Sequence, residues 1–150
     1  MRGQSFMNNM SFKILIIDDS LMMRTLLNNI VSTENYCEIV GLGSNGKEGL
    51  ELVKHQQPDL IFLDIEMPVM NGIEFLKRVR LISKAKVIVV SYIVKDNLVN
   101  KQMLENYGAT KVISKPSGSL SLNLDEERGK EIINIIRSFY PNQGGLHDKN

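Results

Sequence analysis

The sequence predicts an α/β fold: a doubly wound parallel sheet with helices on both faces. Short runs such as LIFL (Leu60–Leu63) and, after Lys86, VIVV (residues 87–90) are apolar or β-branched throughout, the pattern of strands buried on both faces. The segments between such runs repeat apolar residues at i, i+3 and i+4, as one face of a helix does. Strand and helix patterns alternate five times within 150 residues, and regular alternation of this kind builds a parallel sheet.

Taken in order, residues 13–17 (KILII) form the first strand, ending at Asp18-Asp19. Ser20 caps the next helix, whose stripe is Met23, Leu26, Leu27, Ile30 and Val31, and the methionines here read as core filler. Residues 38–42 are a weaker second strand, and residues 47–55 a helix with Leu50 and Val53 inward. Pro58-Asp59 opens the third strand, Leu60–Leu63. After turns at Met67-Pro68 and Asn71-Gly72, Ile73, Leu76 and Val79 mark the third helix. The fourth strand spans residues 86–90 and ends at Ser91. Residues 97–107 form the fourth helix, with Gly108 as its stop. Lys111–Ser114 is a short fifth strand closed by Lys115-Pro116. The last helix runs from about Asp125 to Phe139, with Ile132, Ile135, Ile136 and Phe139 on one face. Between Pro116 and that helix, Leu120, Leu122 and Leu124 stand at every second position. Strand-like spacing makes this an extended connection packing leucines on the body, or else a partner-binding edge.

A hydrophobic content of 43% and a net charge of +1 fit a soluble globular chain with no bias toward polyanions. The lone Cys37 excludes an internal disulfide and a cysteine zinc cluster, which fits a reducing compartment. Residues 1–11 read as a flexible lead-in without the apolar core of a signal peptide. Residues 12–140 read as one domain and residues 141–150 as a disordered polar tail. No apolar run approaches the roughly 18 residues of a membrane span, so the expectation is a cytoplasmic protein with no membrane insertion. Lys and Arg are dispersed and no helix-turn-helix follows, so direct nucleic-acid binding is not expected.

Function in open α/β sheets lies outside the carboxyl ends of the strands. There the sequence places Asp18, Asp19, Asp64, Ser91 and Lys115. Singly each has an ordinary structural reading: a surface lysine, a strand-end hydroxyl, an acid favoured by a helix dipole. Together they are specific. Carboxylates about 5 Å apart repel by roughly 3 kcal/mol at an effective dielectric of about 20. Such a cluster must hold a proton or a cation. All-oxygen ligands favour Mg²⁺ or Ca²⁺, and a few carboxylates with waters suit Mg²⁺ awaiting a phosphate oxygen. With Lys115 and Ser91 nearby, that chemistry points to phosphoryl transfer onto a carboxylate.

The motifs IIDDS (residues 16–20), LDIEMPVMNG (63–72), VVS (89–91), GAT (108–110) and SKPS (114–117) occur in the order and spacing of a known family. The chain resembles the receiver domain of two-component response regulators over roughly residues 12–140. The resemblance implies a flavodoxin-like (βα)5 three-layer sandwich with parallel sheet order 2-1-3-4-5. It implies a phosphoacceptor, Asp64, served by a sensor histidine kinase. Mg²⁺ would be held by Asp19, Asp64 and the backbone carbonyl of Glu66, with Asp18 acting through water. Ser91 would contact the phosphoryl group and Lys115 would neutralise it. The resemblance also implies a cis Lys115-Pro116 bond. Such a chain catalyses only its own phosphorylation and dephosphorylation and signals to an output protein, as a monomer or weak homodimer.

Three positions depart from the family pattern. Tyr92 stands where the family has a small residue, and the expectation is that it narrows access to Asp64. Val112 stands where an aromatic switch residue is usual, which puts the coupled hydroxyl-and-ring rearrangement in question. Glu66 adds a negative side chain near the acceptor. The stretch KPSGSLSLN (residues 115–123) also resembles the receiver portion of chemotaxis methylesterases, although no nucleophile-elbow Gly-x-Ser-x-Gly is present. Competing readings are a pseudo-receiver working as an unphosphorylated interaction module, and an excised methylesterase receiver. A dinucleotide-binding enzyme is suggested by Gly41-x-Gly43-x-x-Gly46. A haloacid-dehalogenase-type phosphatase is suggested by Asp64-Ile65-Glu66.

Overall fold

In a computed structural model of the chain, residues 11–92, 98–115 and 122–140 are described, with backbone alone at 98–100 and 122–125. They form β1 (Phe12–Ile17), α1 (Leu21–Val31), β2 (Cys37–Gly43), α2 (Gly46–Gln56) and β3 (Leu60–Leu63). These are followed by α3 (Gly72–Val79), β4 (Lys86–Ser91), α4 (Leu98–Asn106), β5 (Lys111–Ser114) and α5 (Leu122–Phe139). The chain divides into two units, residues 1–114 with the whole sheet and residues 115–150 with α5.

The sheet of the first unit has the order β2-β1-β3-β4-β5, parallel throughout. This is the flavodoxin-like order. Strand alternation divides the core. Leu15, Ile17, Ile61, Leu63, Val87 and Val89 join one cluster with Val53 of α2, Phe75, Leu76 and Val79 of α3, and Leu104 of α4. Ile14, Ile16, Leu60, Phe62, Ile88 and Val90 are equally buried but outside that cluster. The same is true of Met23, Leu27 and Val31 of α1, which packs on β1 and β2. Strands buried on both faces explain why the runs are apolar without a break. Edge strand β2 is only half-buried. It carries a bulge, Ile14 pairing with Ile39 and Leu15 with Gly41, which accounts for its weaker sequence pattern. In the second unit Ile132, Ile135 and Ile136 of α5 are buried.

Some expectations need correction. The last helix begins at Leu122, so Leu122 and Leu124 are helical rather than extended. Leucine favours helix, the segment has no β-branched residue, and Asp125 to Glu127 suit a helix start. Met22 is 61% exposed while Met23 is 2% exposed, so only one of the two methionines fills the core. The lead-in (residues 1–10), the tail (141–150), Pro116 of the Lys115-Pro116 bond, and Leu120 lie outside the described residues.

Candidate functional site

The register of two strands assembles the acidic cluster. Ile17 pairs with Leu63, so the first residue beyond each strand, Asp18 and Asp64, emerges at the same edge. The Asp64 amide donates to the Ile17 carbonyl at 2.9 Å, and the Asp18 amide to the Gly43 carbonyl at 2.9 Å. Asp18 and Asp64 are 1% and 5% exposed, whereas Asp19 is exposed. One carboxylate oxygen from each of the three lies within 4.8 Å of the others. The Asp18 carboxylate accepts from the Ser20 amide at 2.9 Å, and that of Asp64 from the Ile65 amide at 2.8 Å. Ser20 in turn caps α1, its hydroxyl accepting from the Met23 amide at 3.2 Å.

Charge and donor type decide what the cluster can hold. Two buried carboxylates at this separation repel by several kcal/mol in a medium of effective dielectric about 20. A hard divalent cation relieves that repulsion, and carboxylate oxygens with no His or Cys in the set are Mg²⁺ or Ca²⁺ ligands. The donor set fits Mg²⁺.

The loop after Asp64 is built on close backbone approach. The Gly72 amide donates to the Ile65 carbonyl at 2.8 Å. A Cβ on Gly72 would overlap the Asp64 carbonyl and lie 2.8 Å from Ile65 Cα, so no larger residue fits there. Asn71 caps α3, accepting from the Glu74 amide at 3.0 Å. At the loop's tip Val69 is 78% exposed and takes φ 67°, a left-handed conformation that a β-branched residue disfavours.

The same loop explains the glycine motif. The Gly46 amide donates to the Met70 carbonyl at 2.8 Å, and a Cβ on Gly46 would lie 2.6 Å from that oxygen. Asn45 caps α2 by accepting from the Glu48 amide at 2.9 Å. Glu48 accepts from the Ser44 amide and hydroxyl at 2.6 and 2.8 Å. Those Ser44 bonds hold the Glu48 carboxyl below its usual value, with a smaller contribution from the charge of Arg24. The amides of Ser44, Gly46 and Glu48, which a pyrophosphate would need, are thus taken by the protein itself. Gly46 serves to fasten the Asp64 loop to α2.

The remaining predicted residues range from half-buried to exposed. Ser91, half-buried, ends β4 two residues past Val89, the partner of Leu63, and so stands at the same sheet edge as Asp64. Tyr92 is 68% exposed. Val112 is half-buried and packs against the core cluster. Glu66 is exposed, and Lys115, half-buried, is the first residue of the second unit. Arg24 escaped the sequence reading. Its guanidinium donates to the Asp18 carbonyl at 2.6 Å; a cation one turn after the acidic pair was its only signal. Among the described residues no helix is long and apolar enough to cross a membrane.

Comparison with known proteins adds a family context. The model of the response regulator receiver domain family matches residues 14–125. A protein-glutamate methylesterase/protein-glutamine glutaminase of Geobacillus kaustophilus is 34% identical over 136 residues, 91% of this chain and 39% of that protein. Its counterpart in Halalkalibacterium halodurans is 39% identical over 116 residues, 77% of this chain and 34% of that protein. The chain therefore spans well under half the length of these curated relatives. Among solved structures, the response regulator domain of Thermotoga maritima CheB matches with a TM-score of 0.77 at 33% identity, covering 87% of this chain and 96% of that one. A chain from the complex of the CheA3 P1 domain with CheY6 of R. sphaeroides matches with a TM-score of 0.70 at 32% identity, covering 85% and 95%.

Proposed function

The chain belongs to the response regulator receiver family of two-component signalling, and from that premise we propose that it accepts a phosphoryl group on Asp64. The observation that carries this reading is the meeting of Asp18, Asp19 and Asp64 within 4.8 Å at the ends of adjacent strands. The donor is a phosphohistidine of a sensor histidine kinase. A carboxylate oxygen of Asp64, a nucleophile that as carboxylate needs no base, forms the new O–P bond. The N–P bond breaks, and its electron pair leaves with the imidazole, which takes up a proton. The product is an aspartyl phosphate.

Asp19, Asp64 and the Glu66 backbone carbonyl are the groups that would hold Mg²⁺ directly, with Asp18 acting through water. Mg²⁺ held there would supply neutralisation of the charge that builds on the phosphoryl oxygens. Ser91 donates its hydroxyl to the phosphoryl group and Lys115 balances the added charge. Phosphorylation brings nearly two negative charges and alters the surface offered to an output partner. Residues 12–140 are the signalling module, cytoplasmic and without a turnover reaction on an external substrate. The methylesterase and glutaminase activities belong to the full-length relatives. The complex of CheY6 with the CheA3 P1 domain supports a chemotaxis-type kinase as donor.

Incubation with acetyl phosphate and Mg²⁺, followed by intact-mass measurement, tests the assignment. A phosphate-sized gain that is lost in Asp64→Asn is expected. No gain, or one that survives Asp64→Asn, overturns it and favours the pseudo-receiver.

A further inference from the structure

The geometry points to Arg24 as a positioning residue for the cation site, an inference that rests on the Mg²⁺-dependent reading of that site. Arg24 occupies the fourth position of α1, where a cation opposes the helix dipole. The helix has no acidic residue in its first turn to compensate. What the guanidinium does contact is the backbone carbonyl of Asp18, at 2.6 Å.

That carbonyl belongs to the peptide unit joining Asp18 to Asp19. On its N-terminal side Asp18 is already fixed, its amide donating to Gly43 and its carboxylate accepting from Ser20. Asp19 is exposed, and no described hydrogen bond holds its carboxylate. Its direction is set by the backbone, and the Arg24 bond fixes the plane of the peptide that carries it. Mg²⁺ tolerates little error, since its ligands must approach octahedral geometry at about 2.0–2.1 Å. Rotation of the Asp18–Asp19 peptide would swing one proposed ligand relative to Asp64. The charge of Arg24 also reaches Glu48, whose bonds to Ser44 brace the neighbouring loop. Arg24 thus braces the acidic turn through the Asp18 carbonyl.

The test separates geometry from charge because the two predict opposite signs. Mg²⁺ affinity is measured by calorimetry, without phosphodonor, on the whole chain as wild type, Arg24→Met and Arg24→Gln. Positioning predicts that Arg24→Met weakens Mg²⁺ binding roughly 10-fold, the lower end of what partners of metal ligands contribute. Arg24→Gln, which keeps a donor but no charge, should recover most of that loss. If Arg24 acts only through its charge, its removal makes the site more negative and both variants bind Mg²⁺ more tightly. If it only supports the fold, both variants melt earlier in chelator with unchanged affinity. Either result overturns the proposal. Should Arg24→Met fail to fold, Arg24→Gln decides: affinity measurably below wild type supports positioning, and unchanged or tighter binding overturns it. Absence of Mg²⁺ binding by the wild type would instead overturn the parent reading of the site.

Discussion

Replacing Asp19 by Asn should stabilise the metal-free protein and abolish its response to Mg²⁺. The side chains are nearly isosteric, Asp19 is exposed, and no described hydrogen bond to its carboxylate is lost. What disappears is repulsion from Asp18 and Asp64. At the 4.8 Å that bounds the separations, each pair repels by about 3.5 kcal/mol for an effective dielectric of about 20. Solvent around Asp19 and ordinary salt reduce this to well under half. About 1–2 kcal/mol remains for the two pairs together. For a chain of this length that is a rise in Tm of roughly 2–8 °C. The assay is thermal and urea unfolding of both proteins, in chelator and in saturating Mg²⁺. Wild type gains stability as RT ln(1 + [Mg²⁺]/Kd), about 2.7 kcal/mol at one hundred times Kd, while Asp19→Asn gains little, so their order reverses. If Asp19→Asn is no more stable than wild type in chelator, the electrostatic account fails. If its Mg²⁺ response is undiminished, Asp19 is not a ligand.

Gly72→Ala forces a methyl group onto the Asp64 carbonyl and should destabilise by about 1–3 kcal/mol, as overpacking does; an unchanged urea midpoint would show that the loop can relax. Val69→Asn suits φ 67° and gives up no buried surface, so it should stabilise by about 0.5–1 kcal/mol, and a loss of stability would contradict the strain assigned there. The Glu48 carboxyl is held below 4.5 in the folded state, so its contribution is present above that value and disappears as pH falls through the lower folded value. Glu48→Gln should therefore be less stable than wild type at neutral pH, with the gap closing on acidification. Urea unfolding across a pH series reads this, and a gap independent of pH would assign the effect to packing.

The sequence alone determined where the five strands run, because parallel strands buried on both faces announce themselves as unbroken apolar runs. It also determined that Asp18, Asp19 and Asp64 stand at strand ends, since a run such as LIFL can be followed by a carboxylate only where the strand leaves the core. The capping roles of Ser20 and Asn71 reach no farther than three residues. Only tertiary structure decided which groups meet. The acidic cluster needs β1 and β3 in the register that sets Ile17 beside Leu63. The glycine motif, which locally suggests a phosphate cradle, is explained by the Met70 carbonyl arriving from another loop to occupy Gly46. Leu122 and Leu124, spaced like a strand, join the last helix. Arg24 became informative only when its guanidinium was found on the Asp18 carbonyl. Periodicity and capping arise from residues within a turn or a strand of one another. Register, close backbone approach and side-chain reach between loops depend on how distant segments pack, and no local pattern carries that information.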